Sequence, residues 1–322
     1  MIYMPERILP VVTIIVPCLN EERHIAECLD SILANNYPAG KAEILVVDGM
    51  SKDRTREIVQ RYKIQNTRYK IQLLDNPKVI TPAAMNVGIK NAKGDIIIKM
   101  DAHSVYAKDY ISKCVEHLEE SGADNVGGAL QSIPAKNTLM ARAIAICLSH
   151  MFGAGGSYFR TGAGQPMEVD TVAFGCYRRE VFERIGMFDE RMEKIEDLDL
   201  NLRLRKAGGK IMLFPDIKAL YYPSSDNLKD FFVHNVTDGI WTTYPLKFGF
   251  VSGSLRHYIP LIFVLTLPVS IWPYMLLSLF FSLKIAIIER DNKLLFAMPL
   301  AFGARHIGYG LGSLIGIAKL VV

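Results

Sequence analysis

An aspartate and a histidine, Asp101 and His103, close an apolar run in the first third of the chain. Ile96, Ile97 and Ile98 stand in a row, with Gly94 before them and polar residues after. Consecutive β-branched residues with such flanks read as a strand buried in a parallel sheet. Its end then hands two potential metal ligands to the carboxyl edge of the sheet, where open α/β sheets bind their ligands. Carboxylate oxygen and imidazole nitrogen together suit Mn²⁺, Mg²⁺ or a similar divalent ion, and such an ion clamps a diphosphate. The same two residues also suit a capping aspartate beside an incidental histidine.

A second group is Glu196-Asp197-Leu198-Asp199. Leu198, Leu200, Leu202 and Leu204 alternate with polar residues, and periodicity alone would give a strand. Composition argues for a helix instead: leucine, arginine and lysine are good helix formers, acidic residues crowd the start, and Gly208-Gly209 stops it. The N-terminus of that helix would present Glu196 and Asp197 to a cleft, with Asp199 a solvated neighbour. A hydroxyl attacking a carbon in line needs a carboxylate to take its proton. The same two carboxylates also suit a simple complement to the helix dipole.

The elements that must position these groups alternate. Strands are expected at 11–16, 42–47 and 70–74, with helices ending near 33, at 56–62 and at 82–92; Asn20 would cap the first helix. The second strand ends in Asp48, on the same sheet edge as Asp101. Together these predict a doubly wound sheet flanked by helices. A short helix is expected at 111–120. Glycine is dense from 125 to 164, around an apolar helix at 139–151, and reads as a mobile loop or an ordinary connection.

Val16-Pro17-Cys18-Leu19-Asn20-Glu21, Val47-Asp48-Gly49 through Thr55, Asn86-x-Gly88 and Asp101-Ala102-His103 resemble the nucleotide-binding half of family 2 glycosyltransferases with the GT-A fold, of the membrane-associated succinoglycan-biosynthesis type. The resemblance covers roughly 11–245 and implies a GT-A-type mixed sheet. It implies nucleotide contacts from Pro17, Asn20, Glu21, Asp48, Asn86 and Asp101, a metal held by Asp101 and His103, and catalysis by Asp197 as general base beside Glu196. Gly175 and Arg179 match the acceptor-side strand, where glycine would let the sugar approach and where Arg178 or Arg179 would meet a phosphate or lie on the surface; apart from the resemblance, His234 would approach the metal or diphosphate, or pack or cap as lone histidines commonly do. Met50 and Arg54 depart from the family pattern, standing where small residues are usual. The Gln-x-x-Arg-Trp signature of processive synthases is not found, which favours addition of single sugars.

The chain has 322 residues, half of them hydrophobic, a mean hydropathy of +0.18 and a net charge of +4. No dense basic run suggests nucleic acid. The five cysteines lack metal-site spacing and suit a reducing compartment. The apolar run from Ile8 to Leu19 is broken by Pro10 and Pro17, and reads as a strand rather than a signal peptide. The excess hydrophobicity lies after Tyr258. Residues 258–283 carry no charge, and 294–322 are apolar except for Arg305, His306 and Lys319. The expected organisation is a catalytic domain at 1–225 (nucleotide-binding half 1–104, acceptor-side half 105–225), interfacial amphipathic helices at 226–257 and a transmembrane hairpin at 258–322. Arg305 and His306, placed mid-span, should face protein or a lipid headgroup, and offer a site for a lipid-linked phosphate.

The expected protein is thus a membrane-anchored, metal-dependent, inverting transferase on the cytoplasmic side of the cell membrane. Its donor would be a nucleotide sugar, by resemblance a UDP-sugar, and its acceptor a lipid-linked saccharide or polysaccharide precursor. The alternatives are a polyprenyl-phosphate sugar synthase, a nucleotidyltransferase and a non-catalytic membrane scaffold. Oligomeric state is not legible in the sequence.

Overall fold

The computed structural model describes residues 9–251 and 254–320. Ile8, the outer ends of the expected catalytic domain and hairpin, and residues 252–253 of the expected interfacial segment lie outside the described residues. The first half alternates as expected: β1 (Val12–Cys18), α1 (Ile25–Leu33), β2 (Ala42–Asp48), α2 (Thr55–Gln65), β3 (Lys70–Asp75), α3 (Thr81–Asn91) and β4 (Ile96–Lys99). Then come β5 (Ser104–Tyr106), α4 (Tyr110–Ser121), β6 (Asn125–Ser132), α5 (Leu139–Ser149), α6 (Met151–Ala154) and α7 (Tyr158–Thr161). They lead into β7 (Met167–Glu168), β8 (Cys176–Arg178), α8 (Arg179–Ile185), α9 (Glu196–Lys206) and β9 (Ile211–Tyr221). Four helices close the described chain: α10 (Leu228–Thr243), α11 (Ile259–Leu265), α12 (Leu267–Ile288) and α13 (Leu294–Ala318).

The nine strands form one mixed sheet in the order β3-β2-β1-β4-β8-β6-β9-β5, with β7 also on β9. The first four are mutually parallel, while β8 runs antiparallel to both β4 and β6. The chain steps outward from β1 to β3, then returns to place β4 on the other side of β1. That reversal opens a crevice at the carboxyl ends of β1 and β4, and Asp101 lies two residues past the end of β4.

The uniformly apolar strands are explained by cover on both faces. Val12, Ile14 and Val16 of β1 join Ile44, Val46, Ile96 and Ile98 in one core, with Ile25, Leu29, Val59, Ile111 and Leu118 from α1, α2 and α4. The intervening Ile15, Leu45, Val47 and Ile97 pack on the other face against Met85, Val181, Leu200 and Leu204 from α3, α8 and α9. Alternate residues thus serve different cores, and the polar exceptions are buried with partners, as Thr13 is with Glu43 at 2.8 Å. The helix expected at 196 is α9, and Leu200 and Leu204, four apart, are its buried leucines. Asp199 is not solvated: it is 6 % exposed and accepts from Arg203 Nε at 2.9 Å.

A third core joins α5, α10, α12 and α13 through Ile144, Leu148, Phe231, Ile285, Met298 and Phe302. α10 and α13 pack backbone to backbone. A Cβ on Gly312 would lie 2.0 Å from the Val236 carbonyl oxygen, and one on Gly239 would lie 2.0 Å from that of Tyr309. Only glycine allows that approach. Among the described residues, α12 is the one helix both long and apolar enough to cross a membrane. α13 is longer, but Arg305, His306, Tyr309 and five glycines dilute its apolar character.

Candidate active site

Two loops at the carboxyl edge are tied together. Asn20, expected to cap α1, instead sits at φ +54 four residues before that helix's own N-cap, His24. Its side-chain oxygen accepts from Lys52 N at 2.9 Å, and its own N–H donates to Ser51 Oγ at 2.8 Å. Glu21 N donates to Thr55 Oγ1 at 2.7 Å. Asp48 anchors the second loop from full burial, accepting from Ser51 N at 3.0 Å and from Arg56 Nη1 at 2.7 Å. The other end of the Arg56 guanidinium reaches Asp75 at 2.8 Å. Met50 holds φ +63, a left-handed conformation that favours glycine.

Glu21 connects this loop to the end of β4. Its Oε1 lies 2.9 Å from His103 Nδ1, which leaves Nε2 of that ring for a ligand. A carboxylate on one imidazole nitrogen is the usual support of a metal-binding histidine. Burial opposes charge on His103, but the Glu21 hydrogen bond and the charge of Asp101 outweigh it and raise its pKa to about 10, so Nε2 carries a proton that a bound cation would have to displace. Among the described residues no three His, Cys, Asp or Glu side chains gather as a metal site. An ion here would have Asp101 and His103 as its protein donors and would need diphosphate oxygens and water to complete its sphere, as Mg²⁺ and Mn²⁺ commonly do.

The N-terminus of α9 meets β4 through a residue not singled out from the sequence. Lys99 Nζ lies 3.0 Å from Glu196 Oε1 and 2.5 Å from Asp197 Oδ2. Asp197 Oδ1 is buried with no hydrogen-bond partner. Burial pushes the Asp197 carboxyl up and Lys99 pulls it back, while Glu196 and Asp101 push it up again, to about 6. For Lys99, burial disfavours the charge but the two carboxylates more than restore it. A lysine in the apolar run Ile96–Lys99 is itself a signal, because a buried ammonium requires carboxylate partners.

Asp101, Glu196 and Asp197 line one cavity of 530 Å³, together with Tyr221 and His234. Acidic groups from β4 and α9, distant in sequence, thus share one space at the mouth of the sheet.

The family model of glycosyl transferase family 2 matches residues 13–186, more than half of the chain. The chain belongs to this family. Among curated family 2 relatives, the succinoglycan biosynthesis protein ExoA of Rhizobium meliloti is 32% identical over 277 residues, spanning 80% of this chain and 81% of its own. A Methanococcus voltae protein named dolichyl N-acetyl-alpha-D-glucosaminyl phosphate 3-beta-D-2,3-diacetamido-2,3-dideoxy-beta-D-glucuronosyltransferase is 26% identical, spanning 96% and 97%. Among solved structures, the mannosyltransferase PcManGT from Pyrobaculum calidifontis, in complex with GDP-Man and Mn²⁺, superposes with a TM-score of 0.65. That match has 19% identity and covers 95% of this chain and 87% of that one. S. aureus TarS 1-349 in complex with UDP-GlcNAc gives 0.54 at 16% identity, covering 96% and 92%. The GT-A fold and the glycosyltransferase class follow.

The remaining family 2 positions are dispersed. Pro17 lies in β1, in register with Val47. Asn86 is buried and bridges α3 to the loop after α8, with its amide on the Phe188 backbone at 2.9 and 3.0 Å. Arg179 holds the Gly94 and Ala92 carbonyls at 2.7 Å each. The open side of Gly175 is filled by the ring of Tyr177, 2.5 Å from where a Cβ would stand. Asn86, Gly175 and Arg179 are not among the cavity-lining residues, whereas His234 is, 3.7 Å from Asp238. Arg305 and His306 face protein, as expected: Arg305 Nε donates to the Gly153 carbonyl at 2.7 Å, and His306 Nδ1 lies 2.9 Å from Tyr274 Oη.

Proposed function

We propose that this family 2 glycosyltransferase is a membrane-associated, inverting enzyme that moves a sugar from a nucleoside-diphosphate donor, a UDP-sugar by its motifs, onto a lipid-linked saccharide. The single observation that carries the reading is the cavity lined by both Asp101 and Asp197, the latter with its Oδ1 buried and unpartnered. The nucleotide lies along the Asn20 and Asp48 loops. The acceptor hydroxyl attacks the anomeric carbon from the side opposite the diphosphate; as the new C–O bond forms, Asp197 Oδ1 takes the proton and the bond to the diphosphate breaks. Lys99 keeps Oδ2 occupied and the buried carboxylate ionised. A divalent cation held by Asp101 and His103 would supply neutralisation of the charge on the departing diphosphate.

The lipid-linked acceptor draws support from the dolichyl phosphate in the name of the Methanococcus relative and from the apolar surface of α11–α13. On α12, Val269, Trp272, Leu276 and Ile288 are each more than two-thirds exposed, a belt suited to lipid with the catalytic domain on the cytoplasmic side.

The test is Asp197→Asn in the full chain. Transfer should fall by a factor of about 10² to 10⁴, the usual contribution of a positioned base, while nucleotide binding is retained. Undiminished turnover would remove Asp197 from this role and favour a polyprenyl-phosphate sugar synthase, whose phosphate acceptor needs no strong base.

A further inference from the structure

The cavity continues beyond the acidic end into a basic one. Arg160, Arg256 and Arg305 line it, together with His257, which burial and the charge of Arg256 keep neutral with a pKa of about 4. Arg160 and Arg305 pair with no carboxylate among the described residues, and Arg256 shares Asp170 at 3.0 Å. Three nitrogens in this wall are buried with no partner: Arg160 Nη1, Arg256 Nε and His257 Nε2. A buried donor without an acceptor is costly, and a buried guanidinium without a counter-ion more so. Such a cluster points to an anion with several acceptor oxygens.

The four residues divide by position. The Arg160 guanidinium lies 5.0 Å from the Tyr221 ring centroid, and Tyr221 lies 5.2 Å from the ring of His103. Arg160 therefore stands at the donor end. Arg256 and Arg305 pin the glycine loop after α6: Arg256 Nη1 donates to the Gly156 carbonyl at 2.8 Å and Arg305 Nε to that of Gly153 at 2.7 Å. Their neighbours turn apolar outward. Leu255 is 83% exposed and Ile259 61%, and Ile259 and Pro260 also line the cavity. The basic wall thus opens onto the start of the apolar belt.

We propose that Arg256, Arg305 and His257 form a subsite for the phosphate or diphosphate of the acceptor, oriented so that a hydrocarbon chain esterified to that phosphate leaves over α11. This rests on the glycosyltransferase reading and adds the chemistry of its acceptor. The phosphate here is an anchor: it holds the attacking sugar between itself and Asp197, and is not the nucleophile.

The experiment uses the detergent-solubilised full chain and thermal stabilisation by four probes: UDP with Mn²⁺, farnesyl diphosphate, farnesol and inorganic pyrophosphate. Farnesyl diphosphate should stabilise the chain and farnesol should not. Arg256→Gln and His257→Gln should each weaken farnesyl diphosphate binding about tenfold or more, with Arg256→Lys intermediate, while the stabilisation given by UDP and Mn²⁺ stays. That retained stabilisation also reports that each variant is folded. Weaker binding of pyrophosphate than of farnesyl diphosphate supports a lipid source; equal binding of the two overturns it in favour of a water-soluble phosphate ester. Equal stabilisation by farnesol, or undiminished stabilisation by farnesyl diphosphate in Arg256→Gln and His257→Gln, would overturn the subsite while leaving the transferase intact. Loss of the UDP effect in the parent chain would instead count against the transferase reading itself.

Discussion

Lys99 Nζ lies between two carboxylates of α9, 2.5 Å from Asp197 Oδ2 and 3.0 Å from Glu196 Oε1, on a side chain only 5% exposed. This pair joins the strand that delivers Asp101 to the helix that delivers Asp197. It also decides the charge of the buried carboxylate. Without it, burial and two like-charged neighbours act on Asp197 unopposed.

The first prediction concerns that lysine. Lys99→Met should raise the Asp197 pKa and carry the acid limb of kcat/KM to higher pH. Turnover at pH 7 should drop about twofold for the first unit that the limb moves up from 6 and approach tenfold for each unit beyond that. Removing one partner of a buried pair costs about 3–5 kcal/mol, so Lys99→Arg is the companion variant, which keeps the charge. Pre-steady-state turnover across pH, beside urea melts, separates the two effects. An unmoved limb in a folded Lys99→Met chain would make the lysine purely structural.

The second prediction is the pH profile of the parent chain. The Asp197 pKa is raised from 3.8 to about 6, so the folded state holds this proton over a window in which the unfolded chain has released it. Stability from this group is therefore present below that window and declines as pH rises through it. Activity runs the other way, since a base must be empty: kcat/KM should fall about tenfold per unit below pH 6 and level off above it. A limb near pH 4 would show a carboxylate of ordinary basicity.

Much of this site was legible because its parts are local. A β-branched run ending in aspartate gives both a strand and the edge where its last residue emerges, and this holds for Asp48 and Asp101. The helix at Glu196 was readable against its alternating leucines because propensity and the double glycine outweighed a short period-two pattern. What escaped depends on partners far away in sequence. Asn20 has the residue type of a cap, yet Lys52 and Ser51 of another loop claim it. The role of Glu21 appears only when His103, 82 residues on, stands 2.9 Å away. The close approach of α10 and α13 hides in glycines that mark any tight packing, and nothing in the residues around Arg256 shows that it lines the same cavity as Asp101 and Asp197.

The third prediction separates packing from binding in the Asn86-x-Gly88 motif. A Cβ on Gly88 would lie 2.5–2.9 Å from three side-chain carbons of Ile15, inside the sheet core where the neighbour has little room to move. Gly88→Ala should destabilise the chain by about 1–3 kcal/mol. Ile15→Val alongside it should recover part of that loss, since contacting sites are not additive. Urea unfolding of the two single variants and the double reads the coupling. The KM for the nucleotide sugar should stay within about twofold, because this glycine faces Ile15 rather than the cavity. A large KM change at unchanged stability would return the motif to the nucleotide.

The fourth prediction asks what covers α12. Leu276 is 71% exposed and Trp272 71%, whereas the buried residues of the helix are confined to Ser278, Ser282, Ile285 and Ala286. In water so much apolar surface on one helix would drive aggregation; against hydrocarbon it costs nothing. Leu276→Arg distinguishes these surroundings. In a bilayer, an arginine near the middle of a span costs about 2.5–3.5 kcal/mol on insertion scales, so a larger share of the full chain should be released from membranes by alkaline carbonate. In water the parent chain would aggregate through this surface and the same change would raise its solubility. The Leu276→Lys variant should behave as the arginine does, and Leu276→Phe as the parent. If all four chains partition alike, α12 is covered by protein and the lipid-facing belt does not exist.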